Sequence, residues 1–237
     1  MDLTEAMEGG PAHGNEVPPG EPISLILKHI RDAIAGGRLM PNERLLEVDM
    51  AKQLNTNRAN IRTALAVLES EGLVRREANR GARVRLISEQ EALEIAEARL
   101  ALEGLIARKA AELATDDDVV FLRQSLDAMR VRLEAGDLIG VSALNGDFHR
   151  AILRIANNET IGRLLANLRH QLVRVQFRTI LVPGRAAKSL GEHLRIVEAI
   201  AARDPDAAEL AMRTHLKNVT EGLKESFAMN RGGAFNS

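Results

Sequence analysis

The sequence predicts a mainly α protein in two parts: an N-terminal winged helix-turn-helix of three helices plus a β-hairpin, and a C-terminal all-α bundle. Three observations lead there. Apolar residues recur at helical spacing through most of the chain after residue 20. β-like runs are confined to one short stretch, residues 73–86. The net charge of −1 is unevenly divided, with −4 over residues 1–20, +4 over 21–87 and −1 over 88–237. A basic module is hidden by an acidic tail.

Residues 1–20, rich in Gly, Pro and acids, cannot bury enough surface to order themselves and are expected to be a disordered tail. Ile23, Ile26, Leu27, Ile30 and Ile34 then mark a first helix, stopped by Gly36 and Gly37. Pro41 and Asn42 make a turn, and a short helix spans about Glu47–Leu54. Asn57 is a good N-cap for a third helix that runs to Glu71 and ends at Gly72. Two β-like runs, Leu73–Arg76 and Arg83–Leu86, are joined by Asn79, Arg80 and Gly81. The winged module is therefore assigned to residues 21–87. From Ser88, which stands three residues before Glu91 as in a capping box, strand signals vanish. Helices are expected near 89–114, 117–135, 138–156, 159–182, 186–203 and 206–229, each with an apolar stripe. The bundle is assigned to 88–229 and a flexible C-terminal tail to 230–237.

Composition removes several classes of function. There is no cysteine, hence no disulfide frame, thiolate zinc site, iron–sulfur cluster or cysteine nucleophile. No run of about 18 uncharged apolar residues exists, so no membrane partner is expected. The N-terminus lacks the apolar core of a secretory signal, and a cytoplasmic location is expected. Without Trp or Tyr and with five Phe, the chain is poorly equipped to read single strands by base stacking.

The third helix carries the first candidate site. Ile61, Ala64, Leu65 and Leu68 share its inward side. The opposite side carries Ala59, Arg62, Thr63, Ala66 and Ser70, flanked by Arg58 and Asn60. Small residues let a helix approach another surface closely, and Arg can donate two hydrogen bonds to guanine O6 and N7 in a major groove. The hairpin adds Arg75, Arg76, Arg80, Arg83 and Arg85, able to hold phosphates or reach a minor groove. The same arginines also serve as ordinary solubilising charges in many proteins, and composition alone does not choose. The stretch PNERLLEVDMAKQLNTNRANIRTALAVLESEGLVRREANRGARV resembles the DNA-binding domain of GntR-family transcription regulators. That resemblance implies that Arg58 and Arg62 read operator DNA and that Arg80 and Gly81 form a wing tip entering the minor groove. Arg44 also matches a family arginine. Asn42 stands where the family has Gly, Asn57 for Ser, Asn60 for Pro and Thr63 for Glu. Asn57, Asn60 and Thr63 lie near the reading surface, which implies an operator that differs from the commonest family sequence.

The second candidate site lies in the bundle. His149 shares a stripe with Val141, Asn145, Ile152 and Ala156; His193 with Leu190, Val197 and Ile200; His215 with Ala208, Ala211, Val219 and Leu223. Three helices thus each aim one imidazole inward, and Asn145 lies one turn from His149. Arg99 is inward too, beside Ala92, Ile95, Ala96, Leu102 and Ile106. A single core histidine is usually structural; three converging ones suit a divalent metal such as Zn, Ni or Mn. An inward Arg suits a carboxylate. His13, His29 and His170 suggest no site, and Asp147 points away from His149. The segments EARLALEGLIARKAA, NGDFHRAILRIANN and GEHLRIVEAIAARDPDAAELAMRTHL resemble the FCD-type ligand-binding domain of the FadR-type branch of the same family. The resemblance implies a bundle of six or seven helices holding a divalent metal on Asn145, His149, His193 and His215, with Asn in place of the frequent Asp. It implies a small organic acid as effector, with Arg99 beside it.

The expected function is a ligand-responsive DNA-binding regulator, a repressor in the family's commoner arrangement, acting as a homodimer on a pseudo-palindromic duplex operator. No enzyme is expected. A metal-dependent hydrolase is the weakest competitor, since no H-E-x-x-H spacing occurs. The stronger competitor is a constitutive DNA-binding protein whose bundle only dimerises.

Overall fold

The computed structural model describes residues 23–35, 37–77, 81–180 and 182–233, the side chains of 170, 173–178 and 230–233 excepted. The expected tail at 1–20, with His13, lies outside them, as do Asn79, Arg80 and the last four residues. Two compact units divide between Arg85 and Leu86, two residues before the expected junction.

The first unit runs α1 (Ile23–Ala35), β1 (Arg44–Leu45), α2 (Glu47–Gln53), α3 (Arg58–Ser70), β2 (Val74–Glu77) and β3 (Gly81–Val84). Helix α1 buries Ile26, Ile30, Ala33 and Ile34, the inward side of its stripe. They join Leu45, Leu54, Ile61, Leu65 and Val84 in one core. The Asn57 side chain caps α3 as expected, accepting from the Asn60 N–H at 2.8 Å. Asn42 has φ +64°, in the left-handed region where Gly is most at ease and Asn next, which accounts for Asn at a position where Gly is common. Strand β1 was not expected. Two residues are too few to show alternation, and it exists because Arg44 and Leu45 pair with Arg83 and Ala82 of β3. The sheet is antiparallel in the order β1-β3-β2.

The hairpin register corrects the expected strand limits. β3 begins at Gly81, two residues early, and pairs Glu77 with Gly81 and Val74 with Val84. The reason is burial: Ala82 and Val84 supply the inward face, whereas Leu86, expected inside the second strand, is 62% exposed.

The second unit has six helices among the described residues: α4 (Glu89–Leu113), α5 (Asp116–Glu134), α6 (Leu138–Ile155), α7 (Glu159–Ile180), α8 (Arg185–Ala201) and α9 (Pro205–Gly233). Their limits follow local chemistry. Ser88 accepts from the Glu91 N–H, and Thr115 and Asp118 form a complete capping box at α5. After α6, Asn157 takes φ +46° and Asn158 caps α7 at the Ile161 N–H. Asp204 caps α9 at the Ala207 N–H, with Pro205 in the first helical position. Helix α9 continues to Gly233, past the expected end at 229.

Helix α4 lies along α9, α8 also packs on α9, and α5 packs on α6 and α8. Two apolar clusters result. The larger includes Ile106, Leu122, Phe148, Ile152, Ile200 and Met212; the smaller joins Ala92, Ile95, Leu172, Leu223 and Phe227. Each fully buried large side chain contributes roughly 1.5–3 kcal/mol. Along α4 and α9 the two clusters are separated by polar residues, and the second candidate site lies there. Among the described residues no helix is long and apolar enough to cross a membrane.

Candidate functional site

In the first unit, α3 presents the surface the sequence predicts. Arg58, Ala59, Arg62 and Thr63 are exposed, opposite buried Ile61, Ala64, Leu65 and Leu68. Asn57 is exposed with its carbonyl oxygen used for capping, and half-buried Asn60 donates from Nδ2 to Thr56 Oγ1 at 3.1 Å. Thr63 Oγ1 donates to the Ala59 carbonyl. Arg58 and Arg62 both meet one carboxylate, Glu47, the first residue of α2. Arg62 donates from Nε to Oε1 at 3.1 Å and from Nη2 to Oε2 at 2.9 Å, and Arg58 Nη2 lies 3.5 Å from Oε2. The Arg62 hydrogen bonds hold the Glu47 carboxyl below its ordinary pKa.

The hairpin arginines divide. Arg75 and Arg76 are exposed, as is Arg44 on β1. Arg83 donates to Glu77 at 2.6 Å and to the Asn42 carbonyl at 3.0 Å, and Arg85 donates to the Gly72 carbonyl at 2.9 Å. Those two hold the unit together instead of standing free for phosphate. Gly81 has φ +85°, and a Cβ there would fall on the Leu45 carbonyl oxygen, so the β1 contact alone demands glycine.

In the second unit, α6, α8 and α9 bring His149, His193 and His215 together, all buried, with one ring nitrogen from each lying within 4.8 Å of the others. His193 Nε2 and His215 Nε2 are 3.3 Å apart. Phe148, fully buried, walls the cluster, its ring 4.7 Å from that of His193. Asn145 is half-buried one turn before His149 on the same stripe. Asp147 is exposed and pairs with Arg150, as its outward position predicts.

Two buried carboxylates that sequence reasoning passed over stand against the imidazoles of His215 and His149. Glu192 Oε2 accepts from His215 Nδ1 at 2.7 Å, and Glu192 is held in turn by both Arg185 Nη groups and by Asn218 Nδ2. Glu103 Oε2 lies 2.8 Å from His149 Nδ1, close in distance though off-line for a hydrogen bond. Glu103 also takes Arg99 Nε at 2.8 Å and Arg169 Nη2 at 3.0 Å. Arg99 is thus buried as expected, and already holds a carboxylate of the chain itself.

The electrostatics follow. Burial disfavours ionised Glu103, but the Arg99 and Arg169 guanidinium groups outweigh it and hold its pKa well below the ordinary value. Burial likewise opposes ionised Glu192, and its bonds to His215, Arg185 and Asn218 bring it down to about 2. Desolvation keeps the imidazoles neutral: His149 is lowered to about 4 against the pull of Glu103, His193 falls well below its ordinary value, and His215 is lowered despite Glu192.

A cation fits this donor set. With Glu192 accepting from His215 Nδ1, the His215 Nε2 lone pair faces His193 Nε2. His193 Nδ1 is buried without a partner. A proton on His193 Nε2 bridges the 3.3 Å gap but leaves the Nδ1 lone pair unpaired; a proton on Nδ1 buries an unmet N–H and opposes two lone pairs. A divalent ion facing the Nε2 atoms removes the opposition of lone pairs, and carboxylates behind ligating imidazoles are the usual support of such an ion.

Comparison with known proteins matches this division. Residues 22–84 match the model described as "Bacterial regulatory proteins, gntR family", and residues 94–218 the FCD domain. The chain is 28% identical over 87% of its length to the HTH-type transcriptional repressor RspR of Escherichia coli K12, covering 91% of that protein. It is 32% identical over 81% of its length to the probable D-xylose utilization operon transcriptional repressor of Paenarthrobacter nicotinovorans, covering 86% of it. The solved structure of E. coli McbR/YncC shares the fold, with a TM-score of 0.76 at 19% identity, covering 87% of this chain and 99% of that one. The family match and the named relatives make this chain a DNA-binding transcription regulator, and those relatives are regulators and not enzymes. The chain belongs to the GntR family, with an FCD domain as its second unit.

Proposed function

We propose that this chain is an effector-controlled transcriptional repressor of the cytoplasm. It acts as a homodimer that offers two α3 helices to a pseudo-palindromic duplex operator. Arg58 and Arg62 contact bases, with Asn57, Asn60 and Thr63 beside them. Arg44, Arg80 and the backbone at Gly81 contact the sugar-phosphate backbone or minor groove.

In the helical unit His149, His193 and His215, with Asn145 as the oxygen donor, hold a divalent ion such as Zn, Ni or Mn. Bound there, the ion supplies a positive charge that attracts an anionic effector. A small organic acid is the ligand, seated near Arg99, which with Arg169 keeps Glu103 ionised behind His149. Occupancy favours one arrangement of the six helices, and by linkage DNA changes effector affinity by the same factor.

The observation that carries this reading is the convergence of three buried imidazoles, with carboxylates behind His149 and His215. The test is a thermal-shift screen of small organic acids on the full chain, with and without Zn, Ni or Mn. Metal-dependent stabilisation by an acid that also weakens operator binding is the expected result. Absence of metal binding in protein purified without chelator refutes the metal, and operator affinity indifferent to every stabilising acid refutes effector control.

A further inference from the structure

We infer that Glu47 is a specificity-determining residue of the DNA surface, a carboxylate that positions the forks of Arg58 and Arg62 together for base reading. The inference rests on the reading of α3 as the recognition helix.

The geometry separates positioning from chance pairing. Glu47 is the first residue of α2, its side chain only 19% exposed, so its carboxylate is a fixed point. The arginines reaching for it are 57% and 61% exposed and otherwise free to sample solvent. Arg62 is gripped side-on, through Nε and one Nη, and that grip fixes the guanidinium plane while leaving the Nη1 end open. Guanine O6 and N7 need only two N–H groups in a fixed plane. Arg58, one turn earlier on α3, meets the same Oε2 atom at 3.5 Å. One negative charge therefore relieves the repulsion between two cations that must point the same way. An unheld Arg gives up much of its rotamer freedom when it docks, which weakens binding on the order of tenfold. Glu47 has already imposed that order.

Its charge has the opposite effect on binding without specificity. Beside a phosphate backbone a carboxylate repels, and each added positive charge raises sequence-independent affinity and its salt dependence. Removing the Glu47 charge must therefore move the two kinds of binding apart. A residue that merely starts α2, or merely alters net charge, moves both in the same direction.

The experiment uses the full chain and a duplex selected by the wild-type protein from a random pool, with a scrambled duplex of the same composition. Kd is measured for both across a salt series with wild type, Glu47→Gln, Arg62→Ala and the double variant. Reading the ratio of the two Kd values on one preparation cancels any inactive fraction. In Glu47→Gln, affinity for the scrambled duplex holds or rises, affinity for the selected duplex falls, and discrimination drops by about fivefold or more. In the Arg62→Ala background the same substitution loses most of that effect, since the fork is gone. A smaller drop in discrimination, or equal loss on both duplexes, overturns the role of Glu47. If Glu47→Gln does not fold, Glu47→Asp is read against the same threshold, because it keeps the charge but withdraws it from both forks. If Arg62→Ala leaves selected-duplex affinity unchanged, the recognition-helix reading itself fails, a result distinct from failure of Glu47 alone.

Discussion

Glu103→Gln gives the sharpest test of the helical site. Glu103 is 1% exposed, and three groups converge on its carboxylate: Arg99 at 2.8 Å, Arg169 at 3.0 Å and His149 at 2.8 Å. Neutralising it takes this anionic partner away from two guanidinium groups, one of them buried. Removing one partner of a buried charge group costs about 3–5 kcal/mol. Arg169 is 19% exposed, so hydration recovers part of the loss and about 3 kcal/mol is expected. For a unit of this size that lowers Tm by roughly 6–12 °C. The assay is thermal unfolding of chelator-treated protein followed by far-UV circular dichroism. The pH dependence has a definite sign. A carboxylate with a depressed native pKa adds stability that is complete above its unfolded pKa and is lost as pH falls through the native one. The gap between wild type and variant is therefore full at neutral pH and narrows only below about 4.5. A Tm within about 2 °C of wild type at pH 7 refutes the view of Glu103 as the charge that keeps Arg99 and Arg169 compatible with burial.

Other outcomes follow from the same structure. On the proposed base-reading role, Arg58→Ala or Arg62→Ala weakens binding to the selected duplex by about tenfold or more, read by fluorescence anisotropy, because each removes a bidentate donor. His149, His193 and His215 all have lowered native pKa values, so the unfolded chain binds more protons below its ordinary histidine pKa of 6.5. Metal-free protein should therefore lose stability in urea as pH falls from about 6.5 toward 4, and a flat profile there contradicts neutral burial. His215→Ala should abolish divalent ion binding in elemental analysis while α3 still binds DNA. Gly81→Ala forces a side chain onto the Leu45 carbonyl at φ +85°, so the first unit should unfold at lower temperature, with operator binding weakened in step.

How much of this was legible in the sequence depends on how many residues share one signal. Long helices repeat their stripe several times, and α4 to α9 accordingly begin and end within a few residues of their caps. Strand β1 has two residues and owes its existence to β3, so no local pattern announces it. The histidines were visible because imidazoles on apolar stripes are conspicuous. Glu103 and Glu192 obey the same arithmetic, four residues after Arg99 and four before Ile196 on inward faces. They were passed over because a lone carboxylate on a helix reads as surface even within an apolar run such as LALEGLIA around Glu103. A stripe examined for any ionisable residue, and not for histidine alone, exposes them. What no stripe contains is pairing across helices: that Glu103 meets Arg169 of α7, or Glu192 meets His215 of α9, depends on packing.

That cross-helix pairing also bears on control. Glu103 of α4 is tied to α6 through His149 and to α7 through Arg169, while Glu192 of α8 is tied to α9 through His215 and Asn218. The His149 ring of α6 joins the two groups, its centroid 5.4 Å from those of both His193 and His215. A ligand that displaces either carboxylate, or an ion that draws the imidazoles together, acts on five helices at once. Helix α4 follows the last strand of the DNA-binding unit after four residues, 85–88. Such a ligand shifts the equilibrium between two arrangements only by its difference in affinity for them, about 1.4 kcal/mol for each tenfold change. If the helical unit controls DNA binding as proposed, variants that weaken Glu103 or Glu192 should change the ratio of operator affinities with and without a stabilising acid, and not only the stability of the bundle.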